Sequence, residues 1–285
     1  MSKNEYENFE NIAYNIRVSL IETLRNSKSG HTAGPLGMVD IFTLLYFKHI
    51  NIDPNNPEKI GRDRLVLSNG HICPVLYTTM AERGFFPKEE LLTLRKINSR
   101  LQGHPHNLSL SGIENSSGPL GQGISQGVGF AINSRLKNLN YFTYIIGSDG
   151  ELNEGQSWEA IMFAGSNKIS KLIYIVDVNN IQISGITSEI LNTYPLVDKF
   201  KSFNWEVFEI DGHNFSEIDL AISQSKSIIN RPSVILAKTI PGKGVDFMQY
   251  KFEWHGKTPS NSEAVLALES LKRIYKKWKK EKQIY

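Results

Sequence analysis

Four of the seven histidines in this 285-residue chain follow a glycine: His31, His71, His104 and His213. Its 22 glycines would place far fewer there by chance. His255 adds the inverse pair with Gly256. A glycine beside an imidazole makes a turn that lets the ring face a pocket, where it can hold or move a proton near neutral pH. Two loops carry oxygen ligands: Gly147-Ser148-Asp149-Gly150-Glu151-Leu152-Asn153-Glu154-Gly155 and Asp177-Val178-Asn179-Asn180-Ile181. Singly, each residue is ordinary loop chemistry. Together they end consecutive strands one helix apart, so Asp149 and Asn179 would meet at one sheet edge, about 5 Å apart, if those strands are neighbours. A carboxylate, an amide oxygen and a free carbonyl form a hard-oxygen set that suits Mg²⁺ or Ca²⁺ bridging a diphosphate. The glycines let backbone N–H groups approach the anion. His49 and His106 lack such a context and read as structural. His213, in Glu-Ile-Asp-Gly-His-Asn just past a strand, reads as a turn residue at least as readily as a chemical one.

The elements that must position these groups follow from periodicity. Phe9, Ile12, Ala13, Ile16, Leu20 and Leu24 recur at helical spacing and predict a helix over Tyr6–Asn26. A second helix is expected from Met38 to His49, a short strand over Arg64–Leu67, a helix after the His71 turn, and another from Gly121 to Asn138. Apolar, β-branched or aromatic runs at Tyr141–Ile146, Leu172–Val178, Trp205–Ile210 and Ser233–Lys238 then alternate with helical segments near Glu154–Asn167, Pro195–Phe203 and Ser216–Ile229. This order predicts a doubly wound α/β domain, a parallel sheet with helices on both faces. Near-continuous apolar strands fit burial on both sides. Residues 239–260 are expected to be a long irregular stretch, and such loops are usually functional.

Composition narrows the class. The net charge of +3 comes from residues 272–285, which hold seven cations and one anion; without them the chain carries 25 cations and 28 anions. The basicity is therefore a terminal feature, and no nucleic-acid motif accompanies it. The expected organisation is a domain over 1–271 with a basic tail over 272–285. One cysteine, Cys73, excludes a disulfide framework or a multi-cysteine metal site, and its place before Pro74 at a helix start suggests burial. The longest apolar runs are strand-sized, short of a membrane helix, and the N-terminus is polar and acidic, so a cytoplasmic protein that binds neither membrane nor nucleic acid is expected. Gly256-Lys257-Thr258 mimics the end of a P-loop, but Lys251 stands where glycine is required. Gly121-Gln122-Gly123 misses the dinucleotide pattern because Gln126 replaces its third glycine.

Asp149-Gly150 through Asn179-Asn180 resembles the thiamine-diphosphate motif, and the flanking segments narrow the resemblance to the transketolase family. Lys28-Ser29-Gly30-His31, the run Arg62 to His71, Leu101-Gln102-Gly103-His104-Pro105, Gly118-Pro119-Leu120-Gly121-Gln122-Gly123 and Glu253-Trp254-His255-Gly256 look like its successive motifs in the same order. The α-subunits of 2-oxoacid dehydrogenases share the diphosphate motif, but the Leu101–Pro105 segment argues against them.

The resemblance implies a thiamine-diphosphate-binding fold and a family reaction that moves a two-carbon ketol unit from a ketose phosphate to an aldose phosphate. It implies that Asp149 and Asn179 bind Mg²⁺ (or Ca²⁺) through their side chains and Ile181 through its carbonyl. It sets Gly150 against the diphosphate, has His71, Gly118, Leu120, Ile183 and His255 line the cofactor, and has Glu154 reach across a subunit interface. His31, His104 and His255 match pocket histidines that bind substrate hydroxyls and move protons, with His71 beside them. A pyrimidine-binding domain completes the family's site and has no counterpart in these residues. A C-terminal transketolase subunit supplying it, in an α2β2 assembly, is therefore the expected partner. Ser148 stands where the family usually has the first glycine of Gly-Asp-Gly, and Thr32-Ala33 follow His31 where Pro-Gly is usual. These departures raise an alternative, a specialised relative acting on an unusual sugar in a biosynthetic pathway. A non-catalytic regulatory subunit is the remaining alternative, opposed by retention of Asp149, Asn179 and the pocket histidines.

Overall fold

The computed structural model describes residues 1–282. Five parallel strands form one sheet in the order β1-β2-β3-β7-β6: β1 Arg64–Leu67, β2 Thr143–Ser148, β3 Leu172–Val178, β6 Glu206–Asp211 and β7 Ser233–Lys238. Side-chain alternation divides the core in two. Leu65, Leu67, Tyr144, Ile146, Ile173, Ile175, Ile235 and Ala237 face one layer with α1 (Lys3–Ser27), α2 (Ala33–Leu44), α3 (Cys73–Arg83) and α8 (Phe215–Ser227). Val66, Ile145, Leu172, Tyr174, Val176, Val234 and Leu236 face the other, with α4 (Gln122–Leu136), α5 (Gly155–Ser166) and α7 (Leu196–Ser202). The doubly wound expectation holds, because strands buried on both faces leave no polar side to the pattern.

Helix α1 begins where Ser2 and Glu5 form a reciprocal capping box and ends at Lys28 in the left-handed region. The second helix starts earlier than its periodicity suggests: Gly34-Pro35-Leu36-Gly37 lie inside α2, since proline in a first helical turn gives up no intrahelical bond. It ends in a wider π turn at Leu45–His49. The connection after β3 carries a hairpin, β4 (Ile181–Gln182) against β5 (Gly185–Ile186), and a single turn, α6 (Thr187–Ile190), which no periodicity signals. Residues 239–260 are irregular apart from one 3₁₀ turn at Phe252–Trp254. Helix α9 (Asn261–Lys282) runs unbroken past residue 272, where the basic tail is expected to begin; residues 283–285 of that tail lie outside the described residues.

Gly165 marks the closest approach of two elements. A Cβ there would overlap the backbone carbonyl oxygen of Phe203, which leads into β6. The clash is with backbone rather than with a flexible side chain, so Gly165→Ala is expected to destabilise the chain by about 3 kcal/mol and to lower its melting midpoint by about 5 °C. A thermal melt followed by circular dichroism checks this; an unchanged midpoint would mean that α5 and the 203–205 segment are not in contact.

Candidate active site

The carboxyl ends of β1, β2, β3 and β7 share one edge, and the loops leaving them enclose a cleft of about 390 Å³. His31, arriving before α2, meets His71, in the 3₁₀ turn after β1, at 4.9 Å between ring centroids, and His255 at 5.5 Å; His71 and His255 lie 5.1 Å apart. His104 joins them, with Gly118 packed against its ring. The Thr32 hydroxyl donates to the Lys257 carbonyl oxygen at 2.6 Å and so ties the His31 turn to the His255 loop. Gly118, Leu120, Gly150, Ile181 and Ile183 complete the predicted lining. Thus nine of the residues singled out in the sequence converge on one cleft from well-separated stretches of the chain.

Asp149 and Asn179 lie behind this wall. Asp149 is fully buried; its backbone N–H donates to the Asp177 carbonyl, and its carboxylate accepts from Gly150 N–H at 2.8 Å and Asn180 N–H at 2.7 Å. Asn179 donates through Nδ2 to Asp177 Oδ2 at 2.7 Å and accepts at Oδ1 from Ile181 N–H at 3.0 Å. Asp177 in turn accepts a short hydrogen bond from the Thr239 hydroxyl. Beside them Glu151, also fully buried, accepts from Ser68 Oγ at 2.5 Å and Gly121 N–H at 2.7 Å, while its Oε2 has no partner among the described residues. Burial pushes Asp149, Glu151 and Asp177 up to about 7. No lysine or arginine pairs with any of the three among the described residues. Buried carboxyl oxygens without a counter-charge are costly, and this donor set suits a hard divalent cation. No three His, Cys, Asp or Glu side chains converge as a metal site among the described residues. A cation here would therefore need amide, carbonyl and ligand oxygens beside Asp149.

Ser148 needs no glycine-like backbone: it is the last residue of β2, paired with Asp177, and its φ is negative. Glu154 is exposed at the start of α5, away from the cleft lining. Sequence reasoning missed Glu151, Gln182 and Ser184 as lining residues. Glu151 is signalled only by being two residues from Asp149. It also missed Arg95, whose guanidinium donates to Ser29 Oγ at 2.8 Å and Gly103 O at 3.2 Å, beside His31 and His104. Cys73 is buried, and burial pushes its thiol up to about 12, so it is not a nucleophile at neutral pH. His49 is buried beside Asp219, and His106 contacts Ser109.

Burial, together with His255, Arg95 and His104, lowers His31 to about 4; burial lowers His71, His104 and His255 as well. These shifts favour the neutral imidazole, which can accept one proton. An imidazole with a depressed folded pKa resists protonation while the unfolded chain takes protons up, so its contribution to stability falls as pH drops from about 6.5 towards 4. The raised carboxyls work in the opposite direction over much of that range. The difference between wild type and His31→Gln isolates the imidazole: the variant should gain about 2 kcal/mol relative to wild type between pH 7 and pH 4, discounting for partial exposure. Urea titrations at several pH values read this out, and parallel pH profiles would show that His31 is not desolvated.

The parallel sheet and the histidine-lined cleft at its carboxyl edge define an α/β domain with a candidate active site. The family profile described as "Transketolase, thiamine diphosphate binding domain" matches residues 9–281. A 6-deoxy-6-sulfo-D-fructose transketolase subunit of Clostridium sp. (strain MSTE9) is 43% identical over 240 residues, 84% of this chain and 87% of that protein. One of the subunits of an apulose-4-phosphate transketolase from Phocaeicola vulgatus is 34% identical, covering 93% of this chain and 94% of that one. Among solved structures, a transketolase variant from Pichia stipitis superposes with a TM-score of 0.87 at 31% identity; the match covers 94% of this chain but only 40% of that one. The chain belongs to the transketolase family and corresponds to its thiamine-diphosphate-binding N-terminal domain.

Proposed function

We propose that this chain is the diphosphate- and metal-binding subunit of a two-chain transketolase. The observation that carries this is the four histidines gathered in one cleft beside a loop pair whose carboxylates are buried with no lysine or arginine paired to them among the described residues. Asp149, the Asn179 amide and the Ile181 carbonyl would hold Mg²⁺, with Gly150 against the diphosphate and His71, Gly118, Leu120, Ile183 and His255 around the cofactor. Bound there, thiamine diphosphate supplies the electron sink for carbon–carbon cleavage and ketol transfer. The protein's share is positioning and proton handling. The imidazoles of His31, His104 and His255 bind sugar hydroxyls and take or return one proton each, with lowered pKa values that keep them available as bases. Arg95 offers a fixed cation to an anionic sugar end.

A partner supplying the pyrimidine-binding half, in an α2β2 complex in the cytoplasm, completes the reading. Two things support it. The matched subunits are close to this chain in length. Ile183, which lines the cleft, is 70% exposed, and Ile190 and Leu191, further along the same connection after β3, are exposed as well, apolar surface suited to burial under another chain. Both of those relatives carry names that specify unusual sugars, which favours the specialised reading over the pentose pathway.

The test is reconstitution. The purified chain and its candidate partner are assayed alone and mixed, with and without thiamine diphosphate and Mg²⁺, on xylulose 5-phosphate with ribose 5-phosphate and on sulfonated or branched ketoses. Transfer is expected only when both chains, cofactor and metal are present. Ketol transfer by this chain alone would overturn the split assignment, and robust pentose turnover would overturn the specialised one.

A further inference from the structure

His213 lies outside the cleft, yet it is wired into it. Its ring is buried, and Nε2 accepts the Ile240 backbone N–H at 2.8 Å. Nδ1 must therefore carry the proton, which it donates to Asp40 Oδ2 at 2.8 Å. The same oxygen accepts from Arg17 Nη2 at 2.7 Å, and all three side chains are buried between α1, α2 and the β6–α8 turn. Burial raises the Asp40 carboxyl, but the Arg17 charge and the His213 bond outweigh it, and the carboxylate stays ionised. This fixed anion sets the tautomer of His213, and the tautomer sets which backbone group the ring can hold.

That backbone group opens the irregular stretch that carries His255. Ile240 O and Thr239 press against Gly37 of α2, where a Cβ would sit 3.1 Å from the Ile240 carbonyl oxygen, and Gly242 N–H donates to Ala33 O at 2.8 Å. Thr239, one residue before Ile240, donates its hydroxyl to Asp177, and Asp177 holds Nδ2 of Asn179. Held by its nitrogen, the Asn179 amide presents its oxygen in one direction, where one lone pair accepts from Ile181 N–H at 3.0 Å and the other is left for a cation.

We infer that His213 is a positioning residue: through the Ile240 peptide it fixes the Thr239 hydroxyl on Asp177, and so orients the Asn179 amide oxygen towards the cation. This rests on the functional reading above, and its consequence is a hydrogen-bond line from Arg17 to Asn179 that touches no substrate. Groups behind a metal ligand typically change metal affinity about 10- to 100-fold when lost.

Two substitutions separate the two ends of the ring. His213→Asn keeps a donor for Asp40 but removes the acceptor for Ile240 N–H; His213→Gln keeps the acceptor and removes the donor. Each is measured in the full chain assembled with its partner, by calorimetric titration with Mn²⁺ in the presence of thiamine diphosphate and by amide exchange at Ile240. The inference expects Asn to weaken Mn²⁺ binding about tenfold or more and to speed Ile240 exchange, with Gln near wild type in both. Equal losses in both variants, or wild-type affinity in His213→Asn, overturn it. Thr239→Val and Thr239→Ser repeat the contrast one step nearer the site if His213→Asn does not fold: Val should weaken Mn²⁺ binding and Ser should not, and equal affinities overturn the inference. A wild-type complex that binds neither Mn²⁺ nor cofactor sinks the functional reading instead, and the anchor then stands or falls on Ile240 exchange alone.

Discussion

Asp149→Ala is expected to lower ketol transfer by the reconstituted enzyme by at least about a thousandfold, equivalent to about 4 kcal/mol of transition-state stabilisation. The carboxylate is fully buried and, among the described residues, its hydrogen-bond partners are the N–H groups of Gly150 and Asn180 alone. Two neutral donors do not neutralise a charge that has lost its water, whereas a divalent cation does. Deleting the side chain also strands both N–H groups, so loop damage and lost charge would be confounded in alanine alone. Asp149→Asn separates them, since it keeps the shape and one acceptor but no negative charge. Both variants should lose Mg²⁺-dependent binding of thiamine diphosphate by calorimetry, and Asn should do so with a smaller change in melting midpoint. Activity of the complex unchanged in Asp149→Asn would show that no cation is held there.

Much of the fold is legible in the sequence because burial on both faces writes itself as continuous apolar runs. Leu172–Val178 matches β3 end to end, and Ser233–Lys238 matches β7. The other two runs slip by one or two residues at each end: β2 extends through Gly147 and Ser148, which have no strand propensity and are held by pairing with Val176 and Asp177. Strand order is not periodic information. A signal for it is nevertheless present: β6 carries Glu206, Glu209 and Asp211, whereas Ser233 to Ala237 of β7 are all buried, so the acidic strand belongs at the edge and the apolar one inside. The hairpin at Ile181–Ile186 has too few residues to carry a period.

The candidate site was legible as an inventory and not as an arrangement. Gly-His pairs and the Asp149 and Asn179 loops can be picked out by residue type, and the fold then brings His31, His71, His104 and His255 to one cleft. Depth cannot be read this way. Nothing local tells that Asp149 and Glu151 are fully buried while Glu154, three residues further, is exposed; that follows from where the 3₁₀ turn Gly150–Asn153 meets α4 and Ser68. His213 shows the opposite case. Its glycine neighbour suggests a turn, and it does sit in one, but its work is set by Asp40, 173 residues away. A contact of that separation leaves no trace in spacing.

Glu154→Gln is expected to leave the isolated chain intact and to reduce turnover of the complex about a hundredfold. In this chain the Glu154 side chain is exposed, caps no helix and makes no hydrogen bond or ion pair among the described residues. The buried Glu151 repels it. Exposed, unpaired carboxylates are usually within about 0.5 kcal/mol of neutral on substitution, so the melting midpoint should hardly move. Glutamine also preserves the Cβ that packs on Gly121 and leaves the turn before α5 undisturbed. A complex changes the account, because a partner surface strips water from the carboxylate and must supply donors to it. Removing one member of such a buried, hydrogen-bonded pair costs about 2–5 kcal/mol, and the lower part of that range is already a factor near a hundred. Measured side by side, the melt of the free chain and the kcat of the assembled enzyme distinguish the two roles. A lowered midpoint with proportionate loss of activity would make Glu154 a local structural residue, and no change in either would place it outside the interface; only an unchanged melt with a lost kcat matches a carboxylate that acts across the subunit boundary.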